Sequence, residues 1–347
     1  MKRYQFYISF NSKPGTASSK AIDDCTQILS SLGYQNFNLT AKITNRFYLL
    51  SILTAVTKLL FSIRPTDVIA IQYPLLSGNQ LFRYMIKLLH ARGVKVLAIV
   101  HDLDDLRYRS SANATGRSDA ALLNDYDAVI VHNQAMMAWL RDKGVTSSLV
   151  SLEIFDYLSD QPAAFNEAAG PFTRTVAFAG NLAKSTFIYD LDTISDWQFN
   201  FYGPNIELSQ LSKKNNLHWG GILSAEAIIA GMDGAFGMIW DGTCLSSLDE
   251  QYGNYLRFNN PHKLSLYLAA GLPVIVPKDA AIAAFVVRHQ IGLTLADLSS
   301  LNGLEISDRQ YAQYKKNAFY IGEKLKAGCY LRKAIKKAEN QLNLKNK

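Results

Sequence analysis

Asn259-Asn260-Pro261-His262-Lys263 stands directly before LSLYLAAGLPVIV, which reads as an apolar helix, a glycine turn and a buried strand. Asn260 suits a helix N-cap, and Pro261 suits the first helical position, where no amide proton is missed. His262 and Lys263 then fall in the first turn. A lysine there lies against the positive end of the helix dipole. Two readings are open. Either an anion occupies the helix start beside Lys263, or Lys263 is solvated and His262 packs.

Other polar groups end apolar runs. His101-Asp102-Leu103-Asp104-Asp105 follows KVLAIV. His101 or Asp102 could supply a general base; the alternative is that the run caps the next segment. Gly180-Asn181 follows TVAFA, with Lys184-Ser185 close behind. A glycine there lets backbone amides approach a phosphate, and Lys184 adds charge. Tyr202-Gly203 closes a further strand, and Asp241-Gly242 another. The sequence holds no GxGxxG, no GxxxxGKT and no GxSxG. Dinucleotide oxidoreductases, P-loop ATPases and the commonest α/β hydrolases are therefore disfavoured.

These groups need elements to position them. Strand-like runs at 4–10, 67–74, 95–102 and 126–133 alternate with helical stretches near 18–32, 79–91, 116–124 and 134–142. The second half repeats the rhythm, with strands at 175–181, 199–204, 233–240, 272–277 and 291–295. This is the pattern of parallel sheets flanked by helices. The stretch 151–172, with Pro162 and Gly170-Pro171, reads as the linker. The expected architecture is α/β: two Rossmann-like domains facing a cleft, with chemistry at the carboxyl ends of the strands.

The 347 residues and 48% hydrophobic content suit two domains, each with its own core. Cys25, Cys244 and Cys329 lie far apart without metal spacing, and the apolar opening is too short for a signal peptide, so a reducing, cytoplasmic setting is expected. Residues 47–62 form the most apolar run, short of a membrane span. Ser51, Thr54, Lys58 and Ser62 give it one polar stripe, so it reads as a mostly buried helix or one dipping into a membrane interface. The formal charge of +7 comes from residues 309–347. Tyr314, Ala318, Ile321 and Leu325, then Leu331, Ile335, Ala338 and Leu342, mark two helical pieces parted by Gly328. Lysines surround both, and no nucleic-acid motif accompanies them.

FAGN at 178–181, MIWDG at 238–242 and YLRFNNPHKLSLYLAAGLPVIV at 255–276 resemble bacterial glycosyltransferases of the GT-B fold. The likeness is to the β-galactofuranosyltransferase group and to glucosyltransferases that extend adhesin glycans. GTASSK at 15–20, SLGY at 31–34 and VHDL at 100–103 carry it into the first half.

The resemblance implies a UDP-sugar donor held mainly by the C-terminal domain. Lys263 would neutralise the diphosphate, with His262, Asn259 and Asn260 at the helix start. Gly180 and Asn181 would line the nucleotide site, Tyr202 and Gly203 would border the base, and Asp241 would take a sugar or ribose hydroxyl. Thr16, Ser18 and Ser19 would form a loop on the acceptor side. The paired glutamates of many retaining GT-B enzymes are missing from KDAAIAAFVVRHQIG, which points to an inverting enzyme with Asp102, beside His101, as base.

Asp102-Leu103-Asp104 also matches the DxD of metal-dependent GT-A enzymes, but two Rossmann-like halves do not match that single domain. No metal or cofactor is expected. The acceptor would be a glycan or a lipid-linked saccharide. The expected domains are 1–160, 173–307 and a basic tail, 308–347, whose first piece packs back on the N-terminal domain. Outward lysines, including Lys333, Lys336 and Lys337, would then hold the chain at the anionic inner face of the plasma membrane. Self-association is left open. The alternative function is a non-catalytic glycosyltransferase-like subunit that stabilises a partner; such a subunit should have lost Lys263, His262 and Asn181.

Overall fold

A computed structural model describes residues 1–9, 17–40, 48–74, 80–107, 118–161, 171–246, 248 and 251–344. The chain forms two compact units, Met1–Glu153 with Tyr330–Lys347, and Ile154–Cys329.

The first unit holds β1 (Arg3–Ser9), β2 (Tyr34–Thr40), β3 (Val68–Tyr73), β4 (Lys95–Val100), β5 (Ala128–Val131) and β6 (Ser148–Ser151). They form one parallel sheet in the order β2-β1-β3-β4-β5-β6. Its helices are α1 (Ala17–Ser31), α2 (Tyr48–Ser62), α3 (Gln80–Ala91), α4 (Asp104–Arg107), α5 (Asp119–Leu123) and α6 (Gln134–Asp142). The central strands are apolar and buried along their whole length, as expected of a sheet covered on both faces. Alternation along β1 shows which helix lies where. Tyr4 bonds the Ser62 carbonyl of α2 and Phe6 packs on Phe82 of α3, while Gln5 reaches Thr26 and Ser30 of α1.

The second unit holds β7 (Thr175–Ala179), β8 (Gln198–Tyr202), β9 (Leu217–Trp219), β10 (Phe236–Met238), β11 (Val274–Pro277) and β12 (Gly292–Leu295). Their order is β12-β11-β10-β7-β8-β9, again parallel. The helices are α7 (Leu208–Leu211), α8 (Ala227–Gly231), α9 (Gln251–Tyr255), α10 (His262–Ala269), α11 (Ala283–His289) and α12 (Asp308–Lys326). One sheet face carries a core of Phe178, Phe187, Trp197, Phe201, Phe236 and Trp240. On the other, Tyr267 of α10 lies on Gly237, where a Cβ would stand 2.1 Å from the ring. Its hydroxyl accepts from Ala179 N at 2.8 Å, which ties α10 to the end of β7.

Two boundaries differ from the expectation. Ile154 onward belongs to the second unit rather than to a linker, because Phe155 O accepts from Ser265 Oγ and Tyr157 N donates to Leu325 O. The tail also divides. Its first piece, α12, belongs to the second unit, where it crosses α10, with Gly322 so close that a Cβ would lie 2.0 Å from Leu268 O. The second piece, α13 (Cys329–Gln341), belongs to the first unit from Tyr330 on. There Glu339 accepts from Arg3 Nε at 2.7 Å and from Tyr34 Oη at 2.9 Å.

Candidate active-site residues

In the second unit the corner begins at two glycines. Gly180 N donates to Tyr202 O at 3.0 Å, binding the ends of β7 and β8 together. Gly203 has φ +136°, and a Cβ on it would lie 1.9 Å from Gly180 O, so only glycine fits. Lys263 runs alongside, its Cε 3.1 Å from where a Cβ on Gly180 would stand. Its ammonium lies 4.3 Å from the centroid of the Phe178 ring and 3.0 Å from Asp241 Oδ1. A cation is thus held between a ring face and one carboxylate, beside Gly180, at the start of an eight-residue helix.

That helix begins one residue later than expected. Pro261, with ψ 133°, occupies the cap position without a side-chain cap bond, and His262 is the first helical residue. Proline's locked φ serves either position; the extended ψ excludes it from the helix proper. His262 does pack, 5.2 Å from Tyr157 and 6.1 Å from Phe155 between ring centroids. Asn260 is buried, and Asn259 carries a buried Oδ1 with no hydrogen bond among the described residues.

Asn181 is exposed and caps a short turn through Ala183 N while receiving Asn205 Nδ2 at 3.0 Å. The Tyr202 side chain does not line an open site. Its ring lies under Gly220, where a Cβ would come within 2.3 Å, and its hydroxyl accepts from Asp233 N at 2.8 Å. What β8 offers at this corner is backbone. Beside Asp241, residues Trp240, Arg257, Lys278 and Asp279 help line a cavity of about 120 Å³.

In the first unit, His101 ends β4. Its Nε2 lies 2.7 Å from Gln72 Oε1. The Gln72 amide nitrogen is already directed at the Ile22 carbonyl and Thr26 Oγ1, so Oε1 is the acceptor and His101 carries its proton on Nε2. The imidazole lone pair then sits on Nδ1. Burial pushes the His101 pKa down to about 4, and burial with the neighbouring His101 pushes His132 down to about 3, so both are neutral at pH 7. His132 Nε2 stands 3.1 Å from the His101 carbonyl.

Asp102 is half-buried and receives Arg107 Nη1 at 2.6 Å. Below it, Asp105 and Asp119 exchange bonds: each carboxylate accepts the other's backbone amide, at 2.6 and 2.8 Å. Asp119 also accepts the Tyr73 hydroxyl, and burial raises its pKa to about 6. Among the described residues no group of three His, Cys, Asp or Glu could hold a metal. Thr16 lies outside the described residues, as does the Ser18 side chain; Ser19 is half-buried on α1.

Residues 5–154 match the N-terminal domain model of the glucosyltransferase 3-like family, and residues 176–338 match its C-terminal domain model. A β-1,6-galactofuranosyltransferase of Escherichia coli K12 is 31% identical over 256 residues, covering 72% of each chain. The chain belongs to the glucosyltransferase 3-like family. Glucosyltransferase 3 of Streptococcus parasanguinis is 24% identical over 79% of this chain and 78% of its own. Among solved structures, sucrose-phosphate synthase from Thermosynechococcus elongatus aligns with a TM-score of 0.62 at 13% identity, over 99% of this chain and 100% of its own. A trehalose-6-phosphate enzyme structure from E. coli, bound with UDP-2-fluoro glucose, aligns with a TM-score of 0.57 at 12% identity, over 97% and 99%. These likenesses show the GT-B fold.

The structure brings Gly180, Gly203, Asp241 and Lys263 of this glycosyltransferase into one corner. Reading the sequence missed Phe178, whose ring lies beneath Lys263, and Gln72 and Arg107, which orient His101 and Asp102. Arg107 had a local signal, five residues beyond Asp102. Gln72 had none, because its meeting with His101 depends on the β3–β4 register.

Proposed function

We propose that the protein transfers a hexose, galactofuranose or glucose, from a UDP-sugar to a glycan or lipid-linked saccharide, with inversion and without a metal. The observation that carries this is the Lys263 ammonium, fixed beside the Gly180 backbone at the start of α10. A diphosphate there meets a preorganised cation and helix amides, which favour charge as it develops on the leaving group. Asp241 would keep Lys263 in place and accept a donor hydroxyl. The neighbouring cavity, with Arg257 and Asp279, offers polar groups to the sugar. Asn181 and the backbone at Gly203 would border the nucleotide, with Asn259 and Asn260 at the helix start.

The acceptor hydroxyl attacks the anomeric carbon as the bond to the diphosphate oxygen breaks. UDP leaves, and the hydroxyl proton passes to a base. Asp102, half-exposed and oriented by Arg107, would be that base. His101, kept neutral and hydrogen-bonded to Gln72, would hold the turn without adding a competing charge. Retention of Lys263, His262 and Asn181 supports catalysis over a purely stabilising subunit.

No helix among the described residues is long and apolar enough to cross a membrane. A lipid-linked acceptor would place the enzyme peripherally, at the inner face of the plasma membrane. The test is a donor screen that reads both UDP release and product mass against lysate glycolipid and glycan acceptors. UDP-galactofuranose or UDP-glucose should yield a product heavier by one hexose. Donor-dependent products with another class of sugar, or none with any UDP-sugar, would overturn the reading.

A further inference from the structure

The most apolar helix, α2, and its neighbour α3 cover the same face of the first unit's sheet. Their outer side is unusual. Phe61 is 84% exposed, Tyr84 59% and Leu88 49%. Tyr84 and Leu88 are one helical turn apart, so they share a stripe, and Arg92 extends it just past the helix. The Arg92 guanidinium donates to the Leu60 carbonyl, which joins that stripe to Phe61. Lys58 lies one turn before Phe61, and Lys87 adjoins Leu88; both are exposed, as is Arg64. No Asp or Glu occurs in residues 48–66 or 80–95. The acidic groups facing this surface from neighbouring elements are engaged: Asp67 with the amides of Lys2 and Arg64, Asp125 with Arg83, and Asp127 with His90 and Lys95.

The basic tail differs. On α13, Lys333 pairs with Glu153, and the helix has no large exposed apolar side chain among the described residues. It lies on the opposite face of the sheet: its Glu339 meets Arg3 and Tyr34, which alternate with the Tyr4 side.

We infer that the α2–α3 face, and not the tail, is the surface by which this protein docks on an anionic phospholipid bilayer. Phe61, Tyr84 and Leu88 enter the boundary between headgroups and acyl chains, where aromatic and aliphatic side chains are favoured. Lys58, Arg64 and Lys87 meet lipid phosphates. A protein partner would not require uniform positive charge around the apolar stripe; an anionic membrane complements it along its whole length. Each basic residue near such a surface strengthens binding about five-fold. This goes beyond the proposed transfer reaction and is tested without it.

The full-length protein is floated with vesicles of phosphatidylglycerol and phosphatidylethanolamine, at low and high salt, and with phosphatidylcholine alone. UDP affinity and circular dichroism check each variant's fold. Binding should occur on anionic vesicles, weaken with salt and fail on phosphatidylcholine. Phe61→Ser with Leu88→Ser should weaken it about ten-fold or more, as should joint Lys58→Gln, Arg64→Gln and Lys87→Gln. Joint Arg332→Gln, Lys333→Gln, Lys336→Gln and Lys337→Gln should leave it unchanged. The proposal is overturned if the wild type does not bind anionic vesicles, binds phosphatidylcholine equally, or loses binding only with the tail substitutions. It is also overturned if sedimentation shows a dimer that Phe61→Ser dissociates while vesicle binding persists, which would assign the face to a second copy.

Discussion

At the ends of β7 and β8, shape comes from Gly180 and Gly203, and charge from Lys263 and Asp241. At the end of β4, it comes from side chains buried against one another: His101 on Gln72, His132 on the His101 carbonyl, and Asp119 on Tyr73 and Asp105. The first corner presents backbone and a cation whose position needs no proton to move. The second is a titratable network whose members hold pKa values far from their ordinary ranges. A site that receives a diphosphate benefits from fixed dipoles and a permanent cation. A site that must accept a proton needs groups whose basicity its surroundings can set. The contrast is what the proposed reaction calls for: donor chemistry in the second unit and proton chemistry in the first.

The largest effect that would sharpen this contrast is on Asp102. Asp102→Asn should lower the transfer rate by ~10²–10⁴, the range for losing a general base, while UDP affinity changes less than about two-fold. Steady-state transfer measured beside UDP titration separates the two. A parallel collapse of affinity would make Asp102 a donor ligand or a structural group.

Next comes Gly203→Ala. Its Cβ would meet the Gly180 carbonyl, so one of them must move, at a strain of ~1–3 kcal/mol. Because Gly180 borders Lys263, UDP affinity should fall about ten-fold or more in a variant that still folds. Calorimetric titration with UDP, after circular dichroism, checks this. Unchanged affinity would show that the glycine geometry does not serve the nucleotide.

The smallest effect concerns Asp119, in the titratable network. Its folded pKa, raised to about 6 from 3.8, means that the folded state binds the proton more tightly than the unfolded chain. The stability this contributes is fully present below pH 3.8 and is lost as pH rises through about 6. Asp119→Asn removes that titration. The melting temperature of the wild type, relative to the variant, should therefore rise as pH falls from 7 to 4.5. A difference constant with pH would contradict the assignment.

Much of this was legible in the sequence, for physical reasons. Central strands such as VIAIQY and KVLAIV are buried on both faces and announce themselves as apolar runs. The sequence pattern missed β2, β6 and β9, which are all edge strands. YQNFNLT, SLVS and LHW are short or mixed, because an edge needs less burial. Gly180, Gly203 and Lys263 stood out because each ends or begins an element. Gln72 could not, since polar residues inside a strand carry no local mark of the partner that register supplies. The tail's periodicity was readable, but not which unit each piece would cover; both pieces have apolar stripes, and the close crossing on α10 depends on Gly322 having no Cβ.

The central claim is that Lys263 stabilises the departing UDP. Its most direct measurement is the single-turnover rate of UDP release with a saturating donor and acceptor, for the wild type and for folded Lys263→Ala. Losing one preorganised charge stabiliser should slow that step by ~10²–10³. A folded Lys263→Ala enzyme that releases UDP at a near-normal rate would contradict the account.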